Sequence, residues 1–262
     1  MQDKVIVITG ASAGIGEKLA EVAIARGARG VVLAARREAP LAALAARLGD
    51  RALAVVADVS VRADNERLRD QAIARFGQID VWVANAGRGI SRPVTQLTDA
   101  DVDDMMTTNF KSVLYGIQAA VPHFQARGTG HVIAVSSMLG RIPMAPIRSA
   151  YSAAKAAVNS LMTSLRLELR SSHPGIHVST VMPGVVATEF GASALHGGPD
   201  SRSLPGAQPV EEVAAVIADL IEHPRAEVYS RPQMREFAAR YFAAEDVAAV
   251  EAGPPFMMPP RP

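Results

Sequence analysis

Short apolar runs rich in β-branched residues alternate with longer segments of helical periodicity along most of the chain. The apolar runs are residues 5–8, 31–33, 52–56, 81–84, 132–135, 176–181 and, as a short last strand, 228–229. Continuous runs of this kind are typical of strands that are buried on both faces of a sheet. Because a helix-length segment separates neighbouring runs, the pattern predicts βαβ units, a parallel sheet and right-handed crossovers.

Three helical segments stand out between the strands. They cover residues 15–26, 101–125 and 150–170, and the second contains Asn109, which is unfavourable inside a helix and predicts a break there. The two longer segments carry apolar residues over more length than one sheet face requires. Besides the plain interpretation, in which they cover the sheet, we expect a subunit interface that forms a homodimer or homotetramer.

Two segments depart from this alternation. Residues 187–209 are rich in Gly, Ser and Pro and show no clear period, which is typical of a functional or mobile loop. Five of the 17 prolines lie from Pro254 onwards, and proline cannot continue a helix. We therefore expect one domain over residues 1–250, with a binding loop at 187–209, and a Pro-rich tail over 251–262.

Composition excludes several classes of protein. The 262 residues are 49% hydrophobic with a formal net charge of +1, which excludes global disorder and disfavours a dedicated nucleic-acid binder. The absence of cysteine excludes disulfides, a cysteine nucleophile and thiolate metal sites, and the six scattered histidines favour no metal. No run approaches the roughly 18 apolar residues of a membrane span, and the N-terminal run is too short for a signal peptide. We expect a cytoplasmic protein.

A glycine-rich motif, T-G-A-S-A-G-I-G at residues 9–16, lies between the first strand and the first helix. Its spacing is G-x-x-x-G-x-G and differs from the G-x-G-x-x-G dinucleotide fingerprint. Glycine still permits a tight turn and a close backbone approach, and free amides at a helix N-terminus attract a pyrophosphate. The motif predicts a dinucleotide site, although an ordinary strand–helix turn also fits it.

The second strand ends on basic residues. A cofactor with a free ribose 2′-hydroxyl calls for an acidic residue at this position. The chain has Arg36 followed by Arg37 instead, and a planar guanidinium is suited to a 2′-phosphate. The sequence therefore favours NADP(H), with NAD(H) still possible; alternatively, both arginines are solvated residues that begin the next helix.

Tyr151 and Lys155 are four residues apart in the last long helical segment, so their side chains share one face. A phenol normally ionises near pH 10. An ammonium about 4 Å away contributes about 4 kcal/mol at an effective dielectric of about 20, an upper limit on the order of three pKa units because desolvation opposes it. The pair predicts a phenol near neutrality that transfers protons, unless Tyr151 only packs and Lys155 is solvated. Ser137 follows a strand, where a hydroxyl would face the ligand crevice unless it only forms a turn.

Taken together, the motifs resemble those of the short-chain dehydrogenase/reductase family in its single-domain branch. The resemblance runs from the glycine-rich loop to about Thr188. Its motifs are, in chain order, Thr9-Gly10-x-x-x-Gly14-x-Gly16, Asp58-Val59, Asn85-Ala86-Gly87, Asn109, Ser137, Tyr151-x-x-x-Lys155 and Pro183-Gly184-x-Val186-x-Thr188. The resemblance implies a Rossmann-type α/β fold, with a doubly wound parallel sheet of about seven strands and helices on both faces.

The resemblance also implies a catalytic tetrad of Asn109, Ser137, Tyr151 and Lys155. Tyr151 would be the general acid in carbonyl reduction and the base in alcohol oxidation, and Lys155 would lower its pKa and hold the nicotinamide ribose. Ser137 would orient the substrate oxygen, and Asn109 would help to hold a water that relays protons to Lys155. The implied cofactor contacts, with Asp58 at the adenine, are Gly10, Ser12, Ala13, Gly14, Ile15, Gly16, Arg36, Arg37, Asp58, Val59, Asn85, Ala86, Gly87, Tyr151, Lys155, Pro183, Gly184, Val186 and Thr188.

The function expected from this resemblance is an NADP(H)-dependent oxidoreductase that interconverts a ketone or aldehyde and an alcohol. Two departures weaken the NADP(H) assignment: Ala13 stands where many NADPH-preferring relatives have a basic residue, and Glu17 adds negative charge near the phosphates. The alternatives are an NAD-dependent alcohol dehydrogenase of the same fold and, more remotely, a non-catalytic dinucleotide-binding sensor. Such a sensor would be expected to lose members of the tetrad, and all four are present.

The residues expected at the substrate pocket are mostly apolar. They are Met138, Leu139, Ile142, Met144, Phe190 and Leu195. This set, with the adaptability of methionine, favours a hydrophobic carbonyl substrate, although ordinary loop packing also explains it. Arg88, Arg141 and Arg148 would instead recognise an acidic group if they are not isolated surface residues.

Overall fold

Seven strands form one parallel sheet in the order β3-β2-β1-β4-β5-β6-β7 in the computed structural model, which describes residues 1–256. The strands are β1 (Val5–Thr9), β2 (Gly30–Ala35), β3 (Ala52–Val56), β4 (Val81–Ala84), β5 (Gly130–Val135), β6 (Ile176–Met182) and β7 (Glu227–Tyr229). Each lies where the apolar runs predict a strand. The predicted α/β fold, with a doubly wound sheet in a single domain, is therefore confirmed.

The helices lie on both faces of this sheet. They are α1 (Gly14–Ala25), α2 (Glu38–Leu48), α3 (Arg62–Phe76), α4 (Asp99–Met106), α5 (Ser112–Arg127), α6 (Ser149–Ser172), α7 (Val210–Glu222), α8 (Pro232–Ala243) and α9 (Val247–Glu251). Alternate residues of β1 supply the two cores, since Ile6 packs with the α1 and α7 side and Val7 with the α3, α5 and α6 side. The chain order reverses between β1 and β4, and in open parallel sheets ligands bind at the carboxyl ends of the strands at such a point.

The predicted break at Asn109 is present as a π-helical turn, Thr107–Lys111, between α4 and α5. The Asn109 amide nitrogen donates to the carbonyl oxygens of Met105 and Arg88, at 3.1 and 3.0 Å. Its side-chain oxygen accepts a hydrogen bond from the Arg88 backbone N–H at 3.0 Å. The side chain therefore fastens the loop after β4 to the turn, which explains why a residue unfavourable in helices stands there.

An ion-pair cluster anchors the loop at residues 187–209. The Asp101 carboxylate of α4 accepts hydrogen bonds from Arg92 Nη1 at 2.8 Å and from His196 Nε2 at 2.6 Å. The backbone N–H of Thr98 in the capping box, the His196 ring and the Arg92 guanidinium together hold the pKa of Asp101 well below its usual range. The loop is therefore attached to the rest of the fold at His196.

Helix α8 has no counterpart among the predicted elements. It begins at Pro232, a residue favoured in the first helical turn, and it packs against residues that follow β5 and against Phe256. The Pro-rich tail contains no helix beyond Glu251 up to residue 256, and Phe256 stacks on Tyr241 of α8 at 5.8 Å between ring centroids. The rest of the predicted tail, 257–262, lies outside the described residues. The expected homodimer or homotetramer stays a prediction.

Candidate active site

A cleft of about 1690 Å³ opens at the carboxyl ends of the strands. This volume exceeds the roughly 300–1,000 Å³ typical of pockets for small ligands, so it has room for a molecule as long as a dinucleotide. Most of the predicted site residues line it. These are Gly10, Ser12, Ala13, Gly14, Ile15, Arg36, Arg37, Asp58, Val59, Asn85, Ala86, Gly87, Ser137, Met138, Leu139, Met144, Tyr151, Lys155, Pro183, Gly184, Val186, Thr188 and Phe190. Gly16 and Asn109 lie behind its wall.

The glycine-rich loop is packed so closely that glycine is required at two positions. A Cβ at Gly16 would lie 2.5 Å from the Gly10 carbonyl oxygen, and Gly10 has a φ of +68° that favours glycine. Thr9 fixes the loop after β4, because its hydroxyl accepts hydrogen bonds from the backbone N–H groups of Asn85 and Ala86. The sequence motif predicts no separate role for this threonine.

The amino end of α1 fits a pyrophosphate. Among the described residues, no side chain caps this helix end, so its first amide groups are available to a ligand. A Cβ at Gly14 would meet only the Thr188 side chain, at 3.2 Å, so the loop leaves open space on its cleft side. Uncapped amides beside open space are what a bound diphosphate needs. The residues present therefore fit a dinucleotide.

The part of the cleft that follows β2 carries two exposed arginines. Arg37 donates to the Ser12 side-chain and backbone oxygens, both at 3.3 Å, so its guanidinium reaches the glycine-rich loop. Arg36 makes no hydrogen bond to residues 1–256 and also lines the cleft. Glu17, which was expected to oppose a phosphate, forms an ion pair with Arg47 at 2.8 Å, so its charge is compensated.

The part of the cleft around Asp58 contains a hydroxyl that the Asp58-Val59 motif does not include. The Asp58 carboxylate accepts hydrogen bonds from the Ser60 hydroxyl at 2.6 Å and from the Ser60 backbone N–H at 3.0 Å. Ser60 lines the cleft beside Asp58 and Val59. A serine two residues after an aspartate is common in turns, so the sequence offered no signal that distinguishes this one.

Three polar groups meet at the inner end of the cleft. Tyr151 and Lys155 of α6 are 6% and 3% exposed, and Ser137 follows β5. Lys155 Nζ lies 5.8 Å from the centroid of the Tyr151 ring and donates to the Val135 carbonyl oxygen at 2.8 Å. The predicted pairing of the phenol and the ammonium on one helix face is therefore present in the structure, and neither side chain is solvated.

Burial, however, outweighs the electrostatic attraction expected between the Tyr151 phenolate and the Lys155 ammonium. It raises the pKa of Tyr151 to about 12, against the opposing effects of the Ser137 hydroxyl and the Arg148 guanidinium. It also lowers the pKa of Lys155 to about 8. The prediction that Lys155 brings the phenol near neutrality is wrong for this structure, because desolvation disfavours both charged forms and the two groups are not in hydrogen-bond contact.

Asn109 lies one layer behind these groups and is fully buried. A Cβ at Gly87 would lie 2.8 Å from Asn109 Oδ1 and 3.5 Å from Lys155 Nζ, so both atoms approach the same glycine. A side chain at Gly87 would therefore enter the space beside both the Asn109 amide and the Lys155 ammonium. Asn109 can influence Lys155 from this position without lining the cleft.

The end of the cleft beside Tyr151, where the sequence predicts the substrate end, is largely apolar. Met138, Leu139, Met144 and Phe190 line it, and the Phe190 ring contacts the Tyr151 ring edge-on at 5.4 Å between centroids. Ile142 and Leu195 were expected there, and this is wrong. Both are instead packed into apolar clusters next to the cleft, Ile142 with Met138 and Leu195 with Tyr151 and Phe190.

Helix α8 adds a wall that sequence reasoning missed. Met234 and Phe237 line the cleft, and the Met234 methyl group lies where a Cβ on Gly184 would stand. The signal was weak, since a methionine and an aromatic residue at helical spacing near a C-terminus are more often part of a core. Arg88 and Arg148 also line the cleft, whereas Arg141 forms an ion pair with Glu227.

Within residues 1–256, no group of three or more His, Asp or Glu side chains is arranged to hold a metal ion. Across the same residues, no helix is both long enough and apolar enough to cross a membrane.

Comparison with known proteins agrees with this geometry. The family described as short chain dehydrogenase matches residues 4–197. The uncharacterized oxidoreductase YxnA of Bacillus subtilis (strain 168) is 37% identical over 247 residues, which cover 91% of this chain and 68% of that protein.

Solved structures agree as well. A short chain dehydrogenase/reductase from Burkholderia phymatum in complex with NAD has a TM-score of 0.83 at 25% identity, covering 91% of this chain and 92% of that one. A short chain dehydrogenase from Burkholderia cenocepacia J2315 in complex with NADP has a TM-score of 0.81 at 26% identity, covering 98% and 99%. By sequence and by structure, the chain belongs to the short-chain dehydrogenase/reductase family.

Proposed function

We propose that this oxidoreductase is an NADP(H)-preferring carbonyl reductase, which runs in reverse as an alcohol dehydrogenase. One observation carries the proposal: the Tyr151 phenol, the Ser137 hydroxyl and the Lys155 ammonium lie together at the inner end of a dinucleotide-sized cleft. The retention of all these groups argues against the alternative of a dinucleotide-binding sensor without turnover.

The residues divide the chemistry as follows. When bound, the nicotinamide ring supplies or takes up the hydride. Tyr151 donates its proton to the carbonyl oxygen during reduction, and Ser137 donates a hydrogen bond to the same oxygen and orients it. The apolar wall of Met138 and Phe190 excludes water, which strengthens both hydrogen bonds.

The elevated pKa of Tyr151 keeps the phenol in the protonated form that reduction requires. With a pKa of about 12, the phenol is protonated at neutral pH and ready to act as an acid. To act as a base in oxidation it must lose this proton, which the Ser137 hydroxyl and the Arg148 guanidinium favour against the effect of burial. Asn109, packed against Gly87 beside Lys155, positions that ammonium.

The preference for NADP(H) rests on Arg36 and Arg37. Both line the cleft directly after β2, at the position where an acidic residue would select NAD(H), and Glu17 is paired with Arg47. The solved relatives contain NAD in one case and NADP in the other, so an NAD-dependent alcohol dehydrogenase is the second candidate. The two arginines favour the first.

The cofactor preference is tested with Arg36→Asp and Arg37→Asp. Each variant replaces a phosphate-binding cation with a group that repels the phosphate, so the ratio of kcat/KM for NADPH over NADH should fall about ten-fold or more. The matched control is Arg170→Asp, an exposed change at the far end of α6. An unchanged ratio in both variants would show that neither arginine determines the cofactor preference.

The proton-donor role is tested with Tyr151→Phe. Removing only the hydroxyl should abolish turnover of a carbonyl panel while NADPH still binds, as measured by cofactor fluorescence. Tyr115→Phe, which removes a hydroxyl outside the cleft on α5, should retain activity. Substantial turnover by Tyr151→Phe would contradict the assignment.

A further inference from the structure

Arg148 is a cation at the substrate end of the cleft, and it takes no part in the proposed transfer of the hydride or the proton. It is the residue immediately before α6, three positions before Tyr151, and its half-buried side chain lines the cleft. Its side chain lies beneath the loop at 187–209. A Cβ at Gly89 would lie 2.9 Å from Nη1, and one at Gly198 would lie 3.2 Å from Nη2.

The charge of Arg148 is not neutralised inside the protein. No Asp or Glu among residues 1–256 forms an ion pair with it, and its guanidinium donates one hydrogen bond, from Nη1 to the Ile90 carbonyl oxygen at 3.1 Å. A guanidinium has five N–H donors, so a single backbone carbonyl leaves most of its capacity unused. Burying a cation without a counter-charge is unfavourable, and such a residue is usually kept for a ligand.

The other four arginines of the cleft are either paired with a carboxylate or exposed to solvent. Arg88 lies 3.6 Å from the Asp104 carboxylate, and Arg202 pairs with Asp200 at 2.6 Å. Arg36 and Arg37 lie at the other end of the cleft, after β2, and are exposed. Arg148 alone among these five combines partial burial, the absence of a carboxylate partner within the described chain and a position beside Tyr151.

We propose that Arg148 binds the carboxylate of the substrate, which is then an oxo acid on reduction and a hydroxy acid on oxidation. The planar guanidinium matches a carboxylate through two parallel hydrogen bonds. The carbonyl of the same molecule lies at Tyr151 and Ser137, and its hydrocarbon part contacts the apolar wall that includes Phe190. This inference rests on the proposed function and replaces the hydrophobic carbonyl expected from the sequence with an acidic one.

The electrostatics of the cleft support this assignment. The Arg148 guanidinium lowers the pKa of Tyr151 against the effect of burial, so its positive charge reaches the place where the carbonyl would lie. Burial lowers the pKa of Arg148 itself. A bound carboxylate would relieve that unfavourable burial of charge, which is a gain that a neutral substrate does not provide.

The test compares 2-oxo-, 3-oxo- and 4-oxopentanoate with their methyl esters, using NADPH and three proteins: the wild type, Arg148→Met and Arg148→Lys. The series varies the distance between the carbonyl and the charge. For the best spacing, the wild type should prefer the acid, and Arg148→Met should reduce kcat/KM for the acid about ten- to 150-fold while the ester changes less than about three-fold. Arg148→Lys should recover part of the loss, since it keeps the charge and loses the planar fork.

A parallel binding measurement separates this inference from the proposed function. The same oxo acids are titrated calorimetrically into the complex of each protein with NADP⁺, in which no reduction can occur. Binding of an acid to the wild type, lost in Arg148→Met, supports the carboxylate site even if no acid or ester is turned over with NADPH, and that absence of turnover would count against the proposed function alone.

Two results would overturn the inference. In the first, Arg148→Met weakens acids and esters equally, which would mean that Arg148 only ties the start of α6 to Ile90. In the second, the wild type reduces the esters as well as the acids at every spacing. That result would leave carbonyl reduction intact and remove the anion from substrate recognition.

Discussion

Lys155 is a buried cation whose removal should make the protein more stable while destroying its activity. Its side chain is 3% exposed, and burial lowers its pKa from 10.5 to about 8. Lys155→Met replaces the ammonium with an unbranched apolar side chain of similar length, which suits a buried position. The substitution therefore removes a desolvated charge and leaves the packing of α6 nearly unchanged.

The magnitude follows from the shift in pKa. At 1.36 kcal/mol per unit, the lowered pKa corresponds to about 3 kcal/mol by which burial of the charge destabilises the folded state. The variant also leaves the Val135 carbonyl without the hydrogen bond from Nζ, which costs about 1 kcal/mol. The net gain is about 2 kcal/mol, which for a domain of this size raises the Tm by roughly 4–8 °C.

The dependence on pH gives the measurement its own control. The ammonium is charged in both folded and unfolded chains below pH 8, so the full destabilisation is present there. As the pH rises from 8 to 10.5, the folded protein releases this proton first, and above 10.5 neither state carries the charge. The Tm advantage of Lys155→Met over the wild type should shrink across this window.

Thermal unfolding without added cofactor, at several pH values from 7 to 10.5, measures the effect. Lys111→Met serves as the matched control, since Lys111 is exposed and its neutralisation should leave the Tm nearly unchanged. Turnover with NADPH should be lost only in Lys155→Met. A lower Tm for Lys155→Met at pH 7, or an advantage that does not vary with pH, would refute the claim that the fold accepts an unfavourable charge at its active site.

Two further substitutions test how the cleft is built. Gly16→Ala places a methyl group against the backbone of the glycine-rich loop and should reduce stability by about 1–3 kcal/mol together with NADPH affinity, as read by thermal melting and calorimetry. Gly253→Ala, where the nearest atom to a Cβ is 3.7 Å away, should change neither. Asp101→Asn removes the charged acceptor of His196 and should speed proteolytic cleavage of the loop at 187–209. Asp103→Asn, exposed on the same helix, should behave like the wild type, and equal cleavage rates in both would contradict the anchoring role of Asp101.

Local patterns were sufficient for most of the fold. Strands buried on both faces must be continuously apolar, so β1 and β5 were visible as runs, and their alternation with helices fixes a parallel sheet. The break at Asn109 was also local, since a side chain that competes for backbone hydrogen bonds disfavours helix. Helix α8 was not predicted as part of the site, because the apolar residues that form its share of the cleft wall show no pattern that differs from that of a core helix.

The site, like the fold, has features that the sequence predicts and features that it does not. The residue types at the glycine-rich loop, Ser137, Tyr151 and Lys155 are set by spacing along single elements, so the sequence determined which groups share the cleft. It also determined that Arg36 and Arg37 stand where an acidic residue would select NAD(H). Both inferences use neighbours within one strand end or one helical turn.

Only the tertiary structure decided the burial and the electrostatic environment of those groups. The pKa of Tyr151 depends on how deeply the phenol is buried and on the distance to every nearby charge, which elements far apart in sequence determine. The same holds for Arg148, which the sequence could not distinguish from Arg88 and Arg141 as a candidate for binding an acidic group. Its meaning comes from a fold that buries half of it in the cleft beside Tyr151 and, within the described residues, brings no carboxylate to it. Chain spacing specifies which side chains can meet, and desolvation, a property of the packed molecule alone, sets their energies.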